Sequence, residues 1–283
     1  MMNKNGVPTR LLGKTNEEVS ILGLGGYHIG KLEKDKSIKL IRRAIDEGIT
    51  FMDNAWCYHN GQSEKLMGEA LKDGYREKVF LMTKNHGRTK ELFKKQLDES
   101  LKRLNTDYID LLQLHEIINF GVPQKIYKEG VLDAVLEAKK KGKIRFIGFT
   151  GHRYPLLHQE MLDLDFDWDT VQMPLNVLDY HYRSFQNQIL PQAKEKNMGI
   201  IGMKSLAAGH IFKTNISVQE AIRYSLSLPI STLVSGIDSI EVLEQNLKIA
   251  REFKKMNDKE LNEIRNRFKN ESFKGQHEYY KTD

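Results

Sequence analysis

Residues 49–58 read ITFMDNAWCY, and this stretch decides how the rest of the chain is interpreted. Its first four residues have the composition of a short buried strand, which ends at Asp53. A buried carboxylate at that point, with Tyr58 five residues later, is costly unless a partner neutralises it. Two later strand-like runs supply candidates, because VFLMTK ends at Lys84 and IDLLQLH ends at His115. These four side chains at successive strand ends predict a site that handles protons.

Length and composition favour one globular domain over residues 1–283. Hydrophobic residues make up 40% of the chain and charged residues 29%, and no Pro/Gly/Ser-rich linker divides it. Barrels of the α/β class reach this length as one domain. The formal net charge of +6 suggests nucleic-acid binding, but much of the excess lies in helix-like runs such as 76–78 and 139–143, which is typical of solvated faces. We therefore expect no nucleic-acid partner, and a mild positive charge suits a phosphate-bearing cofactor.

The cysteine count and the N-terminal sequence limit the disulfides, clusters and cellular location that we expect. Cys57 is the only cysteine, which excludes an intrachain disulfide and a cysteine-bound iron–sulfur cluster. The opening stretch MMNKNGVPTR has no apolar signal core, and no run approaches the roughly 18 apolar residues of a membrane span. These features predict a cytoplasmic protein without a membrane partner. The sequence does not indicate the oligomeric state.

Short apolar runs alternate with longer amphipathic runs about eight times along the chain. A small N-terminal hairpin is predicted from residues 9–12 and 19–22, and the run 120–128 is expected to be a loop. Later strands are predicted at 49–53, 79–83, 109–114, 144–149, 170–173, 199–203 and 231–234. Helices are predicted near 35–47, from 63, from 89, around 131–141, near 186–196, after Ser217, from Asp238 and after Met256. Ser217 with Glu220 has the pattern of a capping box.

Two architectures fit this alternation, a closed eightfold barrel and an open doubly wound sheet. An open sheet that binds a dinucleotide would place G-x-G-x-x-G after its first strand, but residues 23–28 lack the final glycine. Residues 25–31 have the spacing of a P-loop, but Leu32 replaces the Ser/Thr that would hold magnesium. Polar strand ends converge on one face only in a barrel, where active sites form. The sequence therefore predicts a (β/α)8 TIM barrel with an N-terminal β-hairpin.

The four strand-end residues suit the reduction of a carbonyl by hydride transfer. The resulting oxyanion must receive a proton from a donor within about 3 Å, and Tyr58 is the candidate. The Lys84 cation would lower the tyrosine pKa, and Asp53 would keep that lysine charged and in place. His115 would orient the carbonyl through a hydrogen bond. Each residue alone also suits a structural role, but the occurrence of all four at strand ends favours a catalytic site.

Several metal-binding residue types lie close to this stretch, namely Cys57, His28, His59 and His86. The spacing does not contain H-x-x-x-H or a paired-cysteine motif. The proposed chemistry also requires no metal. We therefore expect polar loops here and no metal site.

The chain resembles the aldo-keto reductase family over nearly its whole length, from about residue 9 to residue 250. The resemblance rests on D-N-A-x-x-Y at residues 53–58, on Lys84 and His115 after their strands, and on LGLGGY, GFTG, VQMPLN, GIIGMKSLAAG and GIDSIEVLEQN. It implies a reductase of aldehydes or ketones with Asp53, Tyr58, Lys84 and His115 as catalytic tetrad. It also implies NADP(H) as the slightly preferred cofactor, with NAD(H) as the alternative.

The same resemblance implies a set of cofactor contacts. Gln172 matches a glutamine that holds the nicotinamide amide, and Thr150 with Gly151 stands where a Ser-Asn pair is usual, so His152 would replace the missing asparagine. Met203 stands where an aromatic residue commonly stacks on nicotinamide. The implied contacts are Gly26, Tyr27, Asp53, Thr150, Gly151, Gln172, Met203, Lys204, Ser205, Leu206, Gly209, Gly236, Asp238, Ser239, Gln245 and Asn246.

The features that set cofactor and substrate preference point in different directions. Val242 occupies the position of an arginine that grips the 2′-phosphate of NADP in many members of the family. Asp238 could instead accept a hydrogen bond from the free ribose hydroxyl of NAD. The substrate, a small carbonyl compound, is expected to contact Tyr27, Trp56, Tyr58 and His115.

Two other functions remain open. A barrel lyase could form a Schiff base through Lys204, whereas Asp53 argues against that role for Lys84. A barrel that binds the nucleotide without catalysis could act as a sensor subunit.

Overall fold

The computed structural model describes residues 1–3 and 5–282. Within that part of the chain, eight parallel strands close into a barrel and a separate antiparallel pair precedes them. The pair is β1 (Thr9–Leu11) and β2 (Glu18–Ser20). The barrel strands are β3 (Leu22–Gly25), β4 (Phe51–Asp53), β5 (Phe80–Asn85), β6 (Ile109–Leu114), β7 (Ile144–Thr150), β8 (Thr170–Pro174), β9 (Gly199–Met203) and β10 (Thr232–Gly236). Neighbours in the barrel follow chain order and β10 pairs with β3, so the predicted TIM barrel is confirmed and the open sheet is excluded.

Helices connect the strands and pack around the barrel. They are α1 (Gly26–Ile29), α2 (Lys34–Asp46), α3 (Gln62–Ala70), α4 (Lys90–Leu104), α5 (Val122–Lys128), α6 (Val131–Lys140), α7 (Pro155–Leu162), α8 (Phe185–Gln188), α9 (Leu190–Glu195), α10 (Val218–Ser227), α11 (Ile240–Arg251) and α12 (Asp258–Arg267). The predicted capping box opens α10, where the Ser217 side chain accepts from the backbone N–H of Glu220. None of the helices in the described ranges is long and apolar enough to cross a membrane.

The predicted N-terminal hairpin exists, but its second arm is shorter than expected. The arm ends at Ser20, and residues 22–25 form the first barrel strand instead of continuing the hairpin. The chain leaves the hairpin at Ser20. The Ser20 backbone N–H donates to the Thr50 hydroxyl, and the Ser20 hydroxyl accepts from the Thr50 backbone N–H, both at 2.9 Å. These two bonds direct the chain from the hairpin into the barrel. The prediction from sequence joined β2 and the start of β3 into one strand, because their apolar pattern is continuous.

Two predictions for the segments that connect strands are wrong, each for a local reason. The expected loop 120–128 contains α5, which begins after the left-handed Gly121 and has Pro123 in its first turn. The single helix predicted near 186–196 is split into α8 and α9, and Pro191 lies in the first turn of α9, where it has no N–H to donate. The helix predicted from Asp238 is present and begins two residues later, at Ile240, because Ser239 is its N-cap.

The strand register brings the polar strand ends to one face of the barrel. Gly25 lies opposite Asp53, Lys84 lies opposite Gln113, and Thr150 lies opposite Gln172. The opposite end of the barrel is filled by apolar side chains that the hairpin covers, namely Leu12, Val19, Phe51, Phe80, Met82, Leu111 and Ile201. The predicted site residues therefore lie on the C-terminal face, where the active sites of barrel enzymes form.

Candidate active site

A buried lysine forms the centre of the site. The Lys84 ammonium, 1% exposed, donates to Asp53 Oδ1 at 2.6 Å, to the Asn54 carbonyl at 2.7 Å and to Tyr58 Oη at 3.2 Å. Asp53 ends β4 and Lys84 lies near the end of the adjacent β5, so strand pairing places the two charges side by side. A buried ammonium with three oxygen partners, one of them anionic, is fully satisfied. The predicted Asp–Lys–Tyr grouping is thus assembled in the structure.

Gln172 completes the environment of Asp53. Its side-chain amide Nε2 donates to Asp53 Oδ2 at 2.9 Å, so both carboxylate oxygens have a partner. The Gln172 Oε1 atom and the Asn54 Nδ2 atom are buried and have no hydrogen-bond partner among the residues that the structure describes. An unpaired acceptor and an unpaired donor beside Asp53 are suited to an amide group, which carries both functions.

Tyr58 is held by two aromatic rings and the lysine. Its ring lies edge-on to Tyr27 with centroids 5.4 Å apart and edge-on to His115 at 5.7 Å. Burial, and next the Asp53 carboxylate, raises the pKa of Tyr58 well above its ordinary value. The lowering expected from Lys84 stays a prediction, because burial and the Asp53 carboxylate set the net direction of this pKa. Tyr58 consequently retains its proton at neutral pH.

His115 is buried immediately after β6. Burial, and next the Lys84 cation, lowers the pKa of His115 well below its ordinary value, so the imidazole is neutral at neutral pH. Its Nδ1 lies 3.6 Å from the Cys57 sulfur. Burial raises the pKa of the Cys57 thiol to about 11. A neutral imidazole beside a protonated tyrosine can donate one hydrogen bond to a carbonyl oxygen.

Further polar residues surround His115, and two of them, Arg88 and Glu116, were not predicted from the sequence. Glu116 has a left-handed φ of 53°, and its carboxylate lies 3.4 Å from His86 Nε2 and 4.0 Å from His152 Nε2. The Arg88 guanidinium donates to the backbone carbonyls of His115 and Glu116. A strained non-glycine residue next to a catalytic candidate is typical of functional loops. The sequence signal was limited to the polar composition of these loops.

The predicted substrate residues do not all converge. Tyr27 is 46% exposed and its ring contacts Tyr58, so it lies between the tetrad and solvent. The Trp56 indole instead donates from Nε1 to Glu99 at 2.7 Å and lies against the Arg103 guanidinium, 5.5 Å from its ring. Both partners belong to α4. The prediction that Trp56 lines the substrate pocket receives no support from these contacts.

The loop after β9 has an unusual backbone. Lys204, Ala207 and Ala208 have φ values of 57°, 47° and 55°, and Gly209 has a φ of 91°. Left-handed residues close together orient backbone N–H groups in a way that favours anions, and their strain concentrates at ligand-binding loops. Burial lowers the pKa of Lys204. Four of the implied cofactor contacts lie in this loop, namely Lys204, Ser205, Leu206 and Gly209.

The other implied cofactor residues lie on the same face. Gly26 begins α1 directly against Asp53, where an added Cβ would lie 2.6 Å from the Asp53 carbonyl oxygen. Thr150 and Gly151 are buried at the end of β7, and Met203 ends β9. Gly236 ends β10, Asp238 and Ser239 lie just before α11, and Gln245 and Asn246 lie in the middle of that helix. Two of these already have internal partners, because Ser239 accepts from Val242 and Asn246 donates to Ser235.

The C-terminal segment reaches this face, which the sequence did not predict. Tyr280 is buried, accepts from Asn176 Nδ2 at 3.0 Å, and has the Lys204 ammonium 5.1 Å from its ring centre. Its backbone carbonyl lies 3.1 Å from His152 Nδ1. Residues far apart in the chain thus meet beside the loop after β9. No periodic pattern in the sequence of the tail indicates these contacts.

Comparison with known proteins identifies the family. The sequence model of the aldo/keto reductase family matches residues 21–220. The chain belongs to the aldo-keto reductase family. The predicted enzyme class, an NAD(P)H-dependent aldo-keto reductase, is thereby confirmed.

Relatives and solved structures of this family cover most of the chain. The chain is 29% identical to L-galactose dehydrogenase of Arabidopsis thaliana over 88% of its length and 90% of that protein. It is 32% identical to methylglyoxal reductase YeaE of Escherichia coli, over 66% of the chain and 64% of that protein. The holo form of aldo-keto reductase AKR11C1 from Bacillus halodurans has the same fold, with a TM-score of 0.78, 24% identity and coverage of 96% and 99%. An aldo-keto reductase from Klebsiella pneumoniae in complex with NADPH gives 0.77 at 21% identity, over 93% and 95% of the two chains.

Proposed function

We propose that this protein reduces an aldehyde or ketone to an alcohol by hydride transfer from NADPH or NADH, with Tyr58 as proton donor. The observation that carries the proposal is the buried hydrogen-bonded chain from Asp53 through Lys84 to Tyr58, with distances of 2.6 Å and 3.2 Å. A buried ion pair that ends on a tyrosine hydroxyl suits proton donation and subsequent stabilisation of the tyrosinate.

Each residue of the tetrad has a role in this reaction. A bound nicotinamide dinucleotide supplies the hydride. Tyr58 donates its proton to the carbonyl oxygen, and Lys84 stabilises the tyrosinate that remains. Asp53 keeps Lys84 charged and fixes its position, and His115 donates a hydrogen bond that orients the carbonyl. Tyr58 recovers its proton from solvent when the alcohol leaves.

The residues present fit a nicotinamide dinucleotide. The unpaired Gln172 Oε1 and Asn54 Nδ2 suit the carboxamide of nicotinamide, and the left-handed loop from Lys204 to Gly209 suits a pyrophosphate. We propose NADP(H) ahead of NAD(H), since a solved protein with the same fold carries NADPH. Val242 and the exposed Asp238 favour NAD(H) instead, because neither side chain binds a 2′-phosphate.

Small polar aldehydes and sugars are the first substrates to test. The names of two relatives refer to L-galactose and to methylglyoxal. Both compounds carry hydroxyl or carbonyl groups next to the reacting carbon. The histidines and the carboxylate around His115 can bind such groups through hydrogen bonds.

One observation favours a second function, in which Lys204 forms a Schiff base. Burial lowers the pKa of Lys204, and a neutral amine is the nucleophile that such chemistry needs. Treatment with borohydride in the presence of a carbonyl substrate would then attach the substrate to Lys204. Peptide mass analysis would locate the adduct. The family membership and the assembled tetrad argue for the reductase instead.

Nucleotide binding and turnover test the proposal together. Protein fluorescence is titrated with NADPH and separately with NADH, and oxidation of each is then followed with methylglyoxal, an aldose and an aromatic aldehyde. We expect binding of at least one nucleotide and turnover of at least one aldehyde. Binding without turnover of any carbonyl compound would favour a nucleotide sensor. Absence of binding, with a trapped adduct at Lys204, would replace the reductase with the lyase.

A further inference from the structure

Three metal-binding side chains meet beside the tetrad. Cys57 lies after β4, His86 after β5 and His115 after β6. The Cys57 sulfur is 3.6 Å from His115 Nδ1 and 3.8 Å from His86 Nε2. All three ligand atoms lie within 4.8 Å of one another. The barrel therefore concentrates one thiol and two imidazoles at a single point.

The two sulfur–nitrogen separations match the geometry of tetrahedral zinc. Zn²⁺ binds thiolate sulfur at about 2.3 Å and imidazole nitrogen at about 2.0–2.1 Å, so tetrahedral angles place sulfur and nitrogen about 3.6 Å apart and the two nitrogens about 3.3 Å apart. Both observed sulfur–nitrogen distances lie close to this value. The two nitrogens lie within 4.8 Å of each other, and metal binding would bring them to about 3.3 Å. We propose that Cys57, His86 and His115 form a binding site for Zn²⁺ and similar divalent transition metals.

Hydrogen bonds of the thiol are the alternative account of this arrangement. A neutral cysteine can donate its proton to one imidazole nitrogen and accept weakly from the other. The two accounts differ in what Zn²⁺ does to the thiol, since only a metal site protects the sulfur at low Zn²⁺ concentration. A metal ion would bind all three atoms at once, after release of the thiol proton.

The surrounding charges permit a cation. The Glu116 carboxylate lies 3.4 Å from His86 Nε2, where it adds negative charge and is available as a fourth ligand. Two cations face the cluster, Lys84 and Arg88. Lys84 is paired with Asp53, and Arg88 donates to the carbonyls of His115 and Glu116, so each is already partly compensated.

The arrangement also explains why the sequence predicted no metal site. Zinc motifs recognisable by spacing place at least two ligands on one local segment. Here each ligand follows a different barrel strand, and the ligands are about 30 residues apart in the chain. Closure of the barrel brings them together.

The single cysteine of the chain makes the test direct. Untagged full-length protein is alkylated with iodoacetamide with and without Zn²⁺, and Co²⁺ is added in a separate absorption measurement. We expect Zn²⁺ to protect Cys57 and Co²⁺ to produce a sulfur-to-metal charge-transfer band. Loss of a residue that only hydrogen-bonds to a metal ligand weakens metal binding by roughly 10- to 100-fold, and loss of a direct ligand should weaken it more. The His86→Ala variant should therefore need at least about 100-fold more Zn²⁺ for the same protection.

Matched variants separate this site from binding at the thiol alone. The control variant is His59→Ala. His59 lies in the same loop as Cys57, but its imidazole bonds to the Tyr27 carbonyl, so this variant should bind Zn²⁺ like the wild type. His86→Gln is the second substitution if His86→Ala does not fold. Unprotected Cys57 in the wild type would overturn the proposal, and so would equal protection in wild type and His86 variants. Neither readout requires reductase activity, so the result is independent of the proposed function.

Discussion

Burial determines the protonation of the site residues. It raises the pKa of Tyr58 and lowers the pKa of His115, so each is neutral and carries a proton at neutral pH. Within the tetrad, the charged residues are Lys84 and Asp53, which are hydrogen-bonded to each other and to neighbouring groups. A neutral donor beside a paired cation is the arrangement that proton transfer to an oxyanion requires.

A second buried histidine, His158 on α7, allows a prediction about pH and stability. Its Nε2 lies 3.3 Å from the Gln172 carbonyl, and burial lowers the pKa of His158 to about 3. The imidazole of His158 therefore takes up a proton near pH 6.5 in the unfolded chain, where its pKa is ordinary, but only near pH 3 in the folded protein. The contribution of His158 to stability is therefore full above pH 6.5 and is lost as the pH falls.

The expected size follows from proton linkage. Between pH 7 and pH 5 the free energy of unfolding should fall by about 2 kcal/mol because of His158. The His158→Met variant should lack this part of the decrease. Urea unfolding of both proteins at the two pH values measures the difference. The same pH dependence in wild type and variant would contradict the assignment.

The convergence of the four candidate residues was predictable, but their electrostatics were not. Asp53, Tyr58, Lys84 and His115 follow apolar runs, so strand ends alone placed them together. The direction of the Tyr58 pKa depends on how many atoms surround the hydroxyl, which is a property of the folded barrel. The bond from Gln172 to Asp53 joins residues 119 positions apart and has no local signal.

At the scale of single elements, the N-terminal hairpin covers the barrel end opposite the site. Leu12 follows β1 and is fully buried among the apolar side chains of the barrel interior. The backbone N–H of Lys14 then donates to the Asn197 carbonyl at 2.7 Å and anchors the turn. The hairpin therefore contributes to stability and lies far from the chemistry.

Leu12 and Leu11 form a matched pair for testing this role. Leu12 is 0% exposed and Leu11 is 55% exposed. The Leu12→Ala variant should lose about 2–5 kcal/mol of unfolding free energy, because it leaves a cavity in the barrel interior. The Leu11→Ala variant should be nearly as stable as the wild type. Chemical denaturation measures both, and equal stabilities would contradict the packing described for Leu12.

Elements with strong periodic patterns were predicted well, and short or interrupted ones were not. α2 and α4 lie within one or two residues of the predicted positions, because their apolar spacing is helical throughout. α5 and α7 each carry a proline in the first turn, and neither helix was predicted from the sequence. The break between α8 and α9 has the same cause at Pro191.

At the scale of the whole molecule, the C-terminal segment links the tail to the C-terminal face of the barrel. The Lys281 ammonium is 0% exposed and lies 2.5 Å from Asp179 Oδ1 and 3.1 Å from Glu278 Oε2. The pair with Asp179 spans 102 residues. Such a contact cannot be predicted from local patterns, which is why the sequence placed the tail only as an outer helix.

Removal of the Lys281 charge should destabilise the protein. In the Lys281→Met variant, the buried carboxylates of Asp179 and Glu278 lose their cation, at a cost of about 3–5 kcal/mol. Lys269→Met, a change at an exposed position of the same C-terminal region, is the control and should have little effect. Urea unfolding measures both variants, and hydrogen exchange reports whether the tail opens first. Wild-type stability in Lys281→Met would contradict the buried ion pair.

The most direct test of the central claim is the turnover number of Tyr58→Phe with the best aldehyde and NADPH or NADH. The variant keeps the aromatic ring and removes only the hydroxyl that Lys84 contacts at 3.2 Å. We predict a loss of roughly 10²- to 10⁴-fold in turnover with unchanged nucleotide affinity. Tyr75→Phe, which removes a surface hydroxyl that donates to Asp46, should retain wild-type turnover. Wild-type turnover in Tyr58→Phe would contradict the proposal that this tyrosine donates the proton.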